Sequence, residues 1–160
     1  MMNIKIICLG KLKESYLREM CAEYVKRLGS MCNISVVELP GQRLSENPSE
    51  AEISAALEKE GEQILSKINR GEKVVALCVE GKMLSSEELS GKLDGFALSG
   101  VSAVDFIIGS SFGLSPEIKA KADLRLSMSP MTFPHQLARA MLLEQIYRAF
   151  SISAGAKYHK

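Results

Sequence analysis

The chain has 160 residues, enough for one domain around one buried core. Hydrophobic residues make up 46% and charged residues 24%, an ordinary soluble balance, and the longest apolar runs, such as residues 74–79, fall far short of the roughly 20 residues needed to cross a bilayer. The net charge of +1 excludes neither a nucleic-acid partner nor any other.

Residues 3–9 read as a first strand that follows Met1-Met2 directly, so no signal peptide is expected and the chain is assigned to the cytoplasm. A helix follows, with Leu17, Met20, Cys21, Tyr24, Val25 and Leu28 on one apolar face and Gly29 placed to stop it. Residues 34–39 are a second strand, and Pro40-Gly41 and Asn47-Pro48 bound a polar loop. A long acidic helix extends to about Arg70, with Ile53, Leu57, Ile64, Leu65 and Ile68 inward and Gly61 weakening its middle. Residues 73–79 form a continuous apolar strand of the kind buried on both faces of a parallel sheet. Ser85-Ser86-Glu87-Glu88 is a capping box that opens a third helix. Residues 103–108 are another buried strand, ending in Gly109-Ser110-Ser111-Phe112-Gly113. Ser115-Pro116-Glu117 starts a short fourth helix with proline at its first position. Residues 124–129 are a fifth strand, and Phe133-Pro134 opens a last helix that runs to about Ser153.

This alternation predicts one α/β domain over residues 1–160 with a mostly parallel sheet. In the last helix Leu137, Ala138, Met141, Leu142, Leu143, Ile146, Tyr147 and Phe150 cover most of the circumference. Such a helix is buried on two sides: against its own sheet, and against either a second subunit, which makes a homodimer, or more of its own chain. The four cysteines form no CxxC pair and none is close in sequence to His135 or His159, so they read as buried reduced thiols, with no metal site. Residues 45–62 carry six glutamates and one lysine, whereas residues 125–160 carry five Arg/Lys against Glu144 alone. The basic end is a candidate phosphate-facing surface.

No GxxxxGK[ST], GxGxxG after the first strand or GxSxG is present, which disfavours a nucleoside triphosphatase, a dinucleotide enzyme and an elbow-type hydrolase. What remains is a set of loops at the carboxyl ends of strands three to five: Glu80-Gly81-Lys82-Met83, residues 109–113 and residues 129–134. Open α/β sheets bind ligands at that edge, and glycines there let backbone approach a ligand. These loops by themselves indicate an α/β domain with a small-molecule site, and leave open an unrelated enzyme on a flavodoxin-like sheet.

Three stretches read together are more specific: Val79-Glu80-Gly81-Lys82-Met83-Leu84-Ser85-Ser86, Phe106-Ile107-Ile108-Gly109-Ser110, and residues 126–136 with Thr132-Phe133-Pro134-His135. With Glu144-Gln145-Ile146-Tyr147-Arg148 and the ending Tyr158-His159-Lys160, they resemble the 23S ribosomal RNA pseudouridine N3-methyltransferases of the SPOUT superfamily along essentially the whole chain. The resemblance implies a SPOUT-type α/β fold whose carboxyl-terminal part is a deep trefoil knot, an exception to unknotted chains. It further implies S-adenosyl-L-methionine (SAM) held in a bent form at a homodimer interface, and methylation of a pseudouridine in helix 69 of 23S rRNA within the assembled ribosome. By position, Leu77, Gly109, Met128, Ser129, Pro130, Met131, Thr132 and Phe133 match the cofactor-binding residues. Relatives often have Gly-Gly where this chain has Gly109-Ser110. A serine is strained there if the second glycine serves a positive φ, and a small change if it serves packing, the reading taken here.

Methyl transfer needs donor and acceptor aligned, water excluded, and the imide proton of the acceptor removed. His135 in the first turn of the last helix reads as a neutral base or as a loop-fixing hydrogen-bond partner. Arg148 reads as a contact to RNA phosphate or the target base, or as an ion pair with Glu144 at i, i+4. By itself the tail of Tyr158, His159 and Lys160 reads as a frayed terminus; the resemblance instead folds it over the partner's site, with Tyr158 and His159 catalytic and Lys160 on a phosphate. A non-catalytic ribosome-binding factor on the same scaffold is the alternative.

Overall fold

A computed structural model describes residues 1–159 of the chain. The elements follow in strict alternation: β1 (Asn3–Leu9), α1 (Ser15–Leu28), β2 (Asn33–Leu39), α2 (Glu50–Leu65), β3 (Lys73–Met83), α3 (Ser86–Leu98), β4 (Ala103–Ile108), α4 (Pro116–Lys121), β5 (Leu124–Ser127) and α5 (His135–Ser153). The five strands form one sheet in the order β2-β1-β4-β3-β5, with every pairing parallel. All the carboxyl ends therefore lie along one edge.

The period of two in β1 divides the core. Ile4, Ile6 and Cys8 face Leu17 and Leu28 of α1, Leu89 and Leu93 of α3, and Leu142, Leu143 and Ile146 of α5. Ile7 and Leu9 face the other way, onto Ile64 of α2 and Ile118 of α4. Crossovers that step one way along the sheet (α1, α3) use one face, and those that step the other way (α2, α4) use the opposite face. That is the condition for all four to share one hand.

Capping fixes the helix ends. Ser49 with Glu52, and Ser85 with Glu88, are reciprocal capping boxes, and the Ser115 hydroxyl accepts the Ile118 N–H with Pro116 behind it. At the end of α5, Gly155 adopts φ +69°. The Ala156 N–H donates to Ser151 O and the Gly155 N–H to Ile152 O, a Schellman closure that turns the chain back along the helix.

Three boundaries differ from the sequence reading. β3 runs on to Met83 instead of stopping at Val79, because β5 pairs on both sides of an irregularity between Leu77 and Lys82. Gly81 makes this possible, since a Cβ there would lie 2.7 Å from Arg125 O. α2 stops at Leu65, five residues before Arg70, where Lys67 O accepts the Lys5 ammonium and Glu72 accepts the Asn69 N–H. β5 stops at Ser127, whose hydroxyl donates to Val79 O. Gly61 is a packing residue: a Cβ on it would lie 2.7 Å from Ser115 Oγ, at the contact of α2 with α4. α5 lies against both α1 and α3 of its own chain, so much of its apolar circumference is covered without a partner.

All four cysteines are buried and free, and burial pushes the Cys8 and Cys32 thiols up to about 11. No helix among the described residues is long and apolar enough to cross a membrane.

Among the described residues two carboxylates are buried, one on α2 (Glu60) and one on β4 (Asp105). Asp105 of β4 is fully buried and neither carboxylate oxygen has a hydrogen-bond partner, although Lys5 Nζ lies 3.6 Å from Oδ1. Burial first, then the Glu72 carboxylate beside it, pushes its carboxyl up to about 7 from an ordinary 3.8. The unfolded chain gives up this proton first, so the group's contribution is fully present below about pH 4 and lost as pH rises through 7. Stability is expected to fall by about 2–3 kcal/mol between pH 5 and pH 8 from this group. Asp105→Asn should remove that fall in urea denaturation; parallel pH profiles for the two proteins would contradict it.

Candidate functional site

At the carboxyl edge of β3, β4 and β5 lies a cleft of about 810 Å³. Leu77, Ile108, Leu126, Met128 and Phe133 give it apolar walls, and Ser129, Thr132 and His135 its polar ones. Of the eight residues matched to a cofactor from sequence, Leu77, Gly109, Met128, Ser129, Met131, Thr132 and Phe133 line it, while Pro130 is exposed and does not.

Two close backbone contacts shape the cleft. A Cβ on Gly109 would lie 2.4 Å from Gly113 O, so only glycine fits. Ser110 and Gly113 pair as an isolated bridge, with Gly113 at φ +85°. Ser110 has no positive φ, and its hydroxyl donates to Glu60 Oε1 at 2.9 Å. The serine is therefore unstrained, as the packing reading expects. On the other wall Ser129 Oγ accepts the Met131 N–H.

His135 is half-buried at the start of α5 and lines the cleft. Burial first, then the charges of Arg139 and Lys13, hold its pKa below the ordinary value, against a smaller opposing effect of Glu60. The ring is thus held neutral near pH 7. Arg139 was one of the cations counted toward a phosphate-facing end. It is instead buried: it donates to Glu38 Oε2 at 2.7 Å and to Gly10 O at 3.0 Å. It pins the start of α5 to the ends of β1 and β2.

The other three candidate catalytic residues gather apart from His135. Arg148 donates from Nε and Nη2 to Glu144 Oε1, the ion pair that the i, i+4 spacing allowed. Its guanidinium lies 4.8 Å from the Tyr158 ring centroid. The Tyr158 hydroxyl donates to Glu144 Oε1 at 3.1 Å, and its ring packs edge-on against Tyr147. Burial, then Tyr24 and Glu144, raise the Tyr158 phenol above its usual range, so it remains a donor. Arg148 Nη1 donates to His159 Nδ1 at 3.2 Å. An arginine can only donate, so Nδ1 is the acceptor and Nε2–H donates to Glu87 Oε1 at 2.6 Å. Within one chain the tail thus packs on its own α1, α3 and α5. Lys160, assigned a phosphate from sequence, lies outside the described residues.

A second cavity of about 420 Å³ shares Leu126 and Met128 with the cleft and reaches Glu144. Met20, Leu84 and Met141 line its apolar side. Sequence reasoning gave Glu60 and Glu87 no part in the site, since each meets its partner from a distant part of the chain. Among the described residues no group of three or more His, Cys, Asp or Glu is placed to hold a metal.

Residues 2–159 match the family described as "Predicted SPOUT methyltransferase". Over 159 residues, 99% of this chain and all of the relative, the sequence is 51% identical to Ribosomal RNA large subunit methyltransferase H of Leuconostoc mesenteroides. It is 52% identical, with the same coverage, to the protein of that name from Bacillus cytotoxicus. A solved structure of a probable methylase family protein from Haemophilus influenzae Rd KW20 superposes with a TM-score of 0.55 at 15% identity, covering 98% of this chain and 70% of that one; it supports the fold.

Two outcomes follow from the site geometry. Gly109→Ala should destabilise the protein by about 2 kcal/mol or more, because its Cβ meets backbone that no rotamer change can move. Gly91→Ala on α3 has open space and should stabilise by about 0.5–1 kcal/mol; equal effects in chemical denaturation would contradict the cleft geometry. By NMR titration, the His135 ring should show a midpoint below 6.5, and a midpoint above it would refute the neutral ring.

Proposed function

The chain belongs to the SPOUT methyltransferase family, and from that membership we propose that it is a SAM-dependent methyltransferase of large-subunit ribosomal RNA. We take its acceptor to be N3 of a pseudouridine in helix 69 of the assembled ribosome, and its place to be the cytoplasm. The observation that carries the reading is the cleft: a glycine that tolerates no Cβ, set between apolar walls, at the edge where parallel sheets bind nucleotides.

The residues present fit SAM. Leu77, Met131 and Phe133 offer a slot for adenine, the Gly109 backbone can approach a ribose or amino-acid group closely, and Ser129 and Thr132 supply hydroxyls. SAM, when bound, supplies an electrophilic methyl group. We take the cleft loops to belong to the carboxyl-terminal part that the family resemblance expects to be knotted.

His135 is the residue best suited to accept the N3 proton, because it lines the cleft and is held neutral. Arg148 and Tyr158 carry a guanidinium and an aromatic ring suited to phosphate and base. His159 has both ring nitrogens engaged, so it takes part in proton transfer only once released from Glu87 or Arg148.

An apolar stripe supports a homodimer. Tyr16 and Met20 of α1, and Leu137 of α5, are 65%, 39% and 37% exposed, beside Met83 at 60%. The second cavity, which Met20 also lines, spans from Met128, shared with the cleft, to Glu144 of the tail cluster. A two-fold interface pairs such a stripe with itself. In the antiparallel arrangement the tail cluster of one copy meets the cleft of the other, which makes a composite site.

Ribosomes from a strain lacking the gene, incubated with the protein and isotope-labelled SAM, should gain one labelled methyl on a helix 69 pseudouridine by RNA mass spectrometry. SAM binding without methylation of any RNA would favour a ribosome-binding factor instead. For the composite site, a chain lacking residues 157–160 is mixed with a full-length chain whose cleft is blocked by Thr132→Trp. Each alone should be inactive and the mixture active; a dead mixture after verified subunit exchange would remove the trans arrangement.

A further inference from the structure

We propose that Glu60 is a positioning residue for the cleft: from α2 it clasps the loop after β4 and the loop after β2 into one arrangement. The inference rests on reading the cleft as a SAM site. Glu60 is 3% exposed, in a helix whose neighbouring Glu58 and Glu62 face solvent. A carboxylate is costly to bury unless its oxygens are hydrogen-bonded. Here each oxygen has one partner from a different loop: Oε1 accepts the Ser110 hydroxyl at 2.9 Å, and Oε2 accepts the Gln42 N–H at 2.9 Å.

The next residue on α2 seats the other end of the same cleft loop. Gly61 lies so close to Ser115 that a Cβ would come within 2.7 Å of its hydroxyl oxygen, and Ser115 in turn caps α4. Residues 60 and 61 therefore back the cleft wall at both ends of the 110–115 turn. Ser110 itself lines the cleft, whereas Gln42 and Glu60 do not. Loss of the clasp through Glu60 leaves the lining side chains intact and lowers only the fraction of molecules whose loop is in the binding arrangement. That fraction multiplies affinity directly.

The test uses the full chain with Ser110→Ala, Glu60→Ala, Glu60→Gln and, as a control, Glu58→Ala. Each is titrated with SAM by calorimetry, assayed for KM and kcat, melted thermally, and followed by hydrogen exchange over residues 110–114. Ser110→Ala and Glu60→Ala should raise the SAM Kd and KM by about three- to tenfold, with kcat within about twofold. Glu60→Gln can still accept the Gln42 N–H and donate its amide to Ser110 Oγ, so affinity should return to within about twofold of the parent. Glu58→Ala should change nothing. In Ser110→Ala, exchange at 110–114 should accelerate with no SAM present. If both alanine variants bind SAM like the parent, or if Glu60→Gln is as weak as Glu60→Ala, the positioning role is overturned. If the parent itself binds no SAM, the reading of the cleft fails, and unchanged exchange in Ser110→Ala would overturn the clasp independently.

Discussion

Everything at the carboxyl edge of the sheet depends on the contact of Gly109 with the Gly113 carbonyl, where a Cβ would sit 2.4 Å from the oxygen. Two features act on the same five residues. Gly113 takes a positive φ, which lets the chain double back, and Gly109 lets the returning backbone touch the end of β4. The loop then folds flat into a wall, and Ser115 is delivered where it caps α4. The parallel sheet supplies the other requirement, because only an all-parallel arrangement brings the ends of β3, β4 and β5 to one place. A one-methyl change at Gly109 therefore acts on the shape of the cleft before it acts on any ligand.

The element order was legible because each element carries its own local signal. The continuous apolar run of β3, the Ser85 and Ser115 caps and the proline before α5 all lie within a few residues of what they determine. The boundaries that moved were those set from far away. β3 extends because β5, more than forty residues later in the chain, pairs across its irregularity, and α2 ends early because β1 claims Lys67 O. The cleft lining was legible in the same way, as a cluster of sequence segments with glycine and hydroxyl residues. Its supports were not. In the sequence Arg139 is one of five cations in residues 125–160, and only the fold buries it against Glu38 and Gly10. Glu60 is one of six glutamates within residues 45–62. Nothing local distinguishes it from Glu58 or Glu62, since burial depends on where Ser110 and Gln42 arrive.

Polarity is divided between the two ends of the molecule's chemistry. The cleft is mostly apolar with a neutral imidazole at its rim, a setting in which a cationic donor is held by shape and a proton can be taken up. The tail cluster is dense in charge and hydrogen bonds: Glu144 serves Arg148 and Tyr158 at once, and Glu87 holds His159. The second cavity joins them, sharing Leu126 and Met128 with the cleft and reaching Glu144. A single chain keeps the two sets apart, and the proposed two-fold copy would bring them together.

The central claim is that the cleft at the carboxyl edge is the SAM site. Hydrogen–deuterium exchange of the full chain with and without saturating SAM tests it most directly, because it locates binding without requiring turnover or a ribosome. Protection confined to residues 77–80, 108–114 and 128–135, with the opposite edge around Asp105 and Glu72 unchanged, is the predicted result. Saturable binding that protects other segments and leaves these three untouched would contradict it.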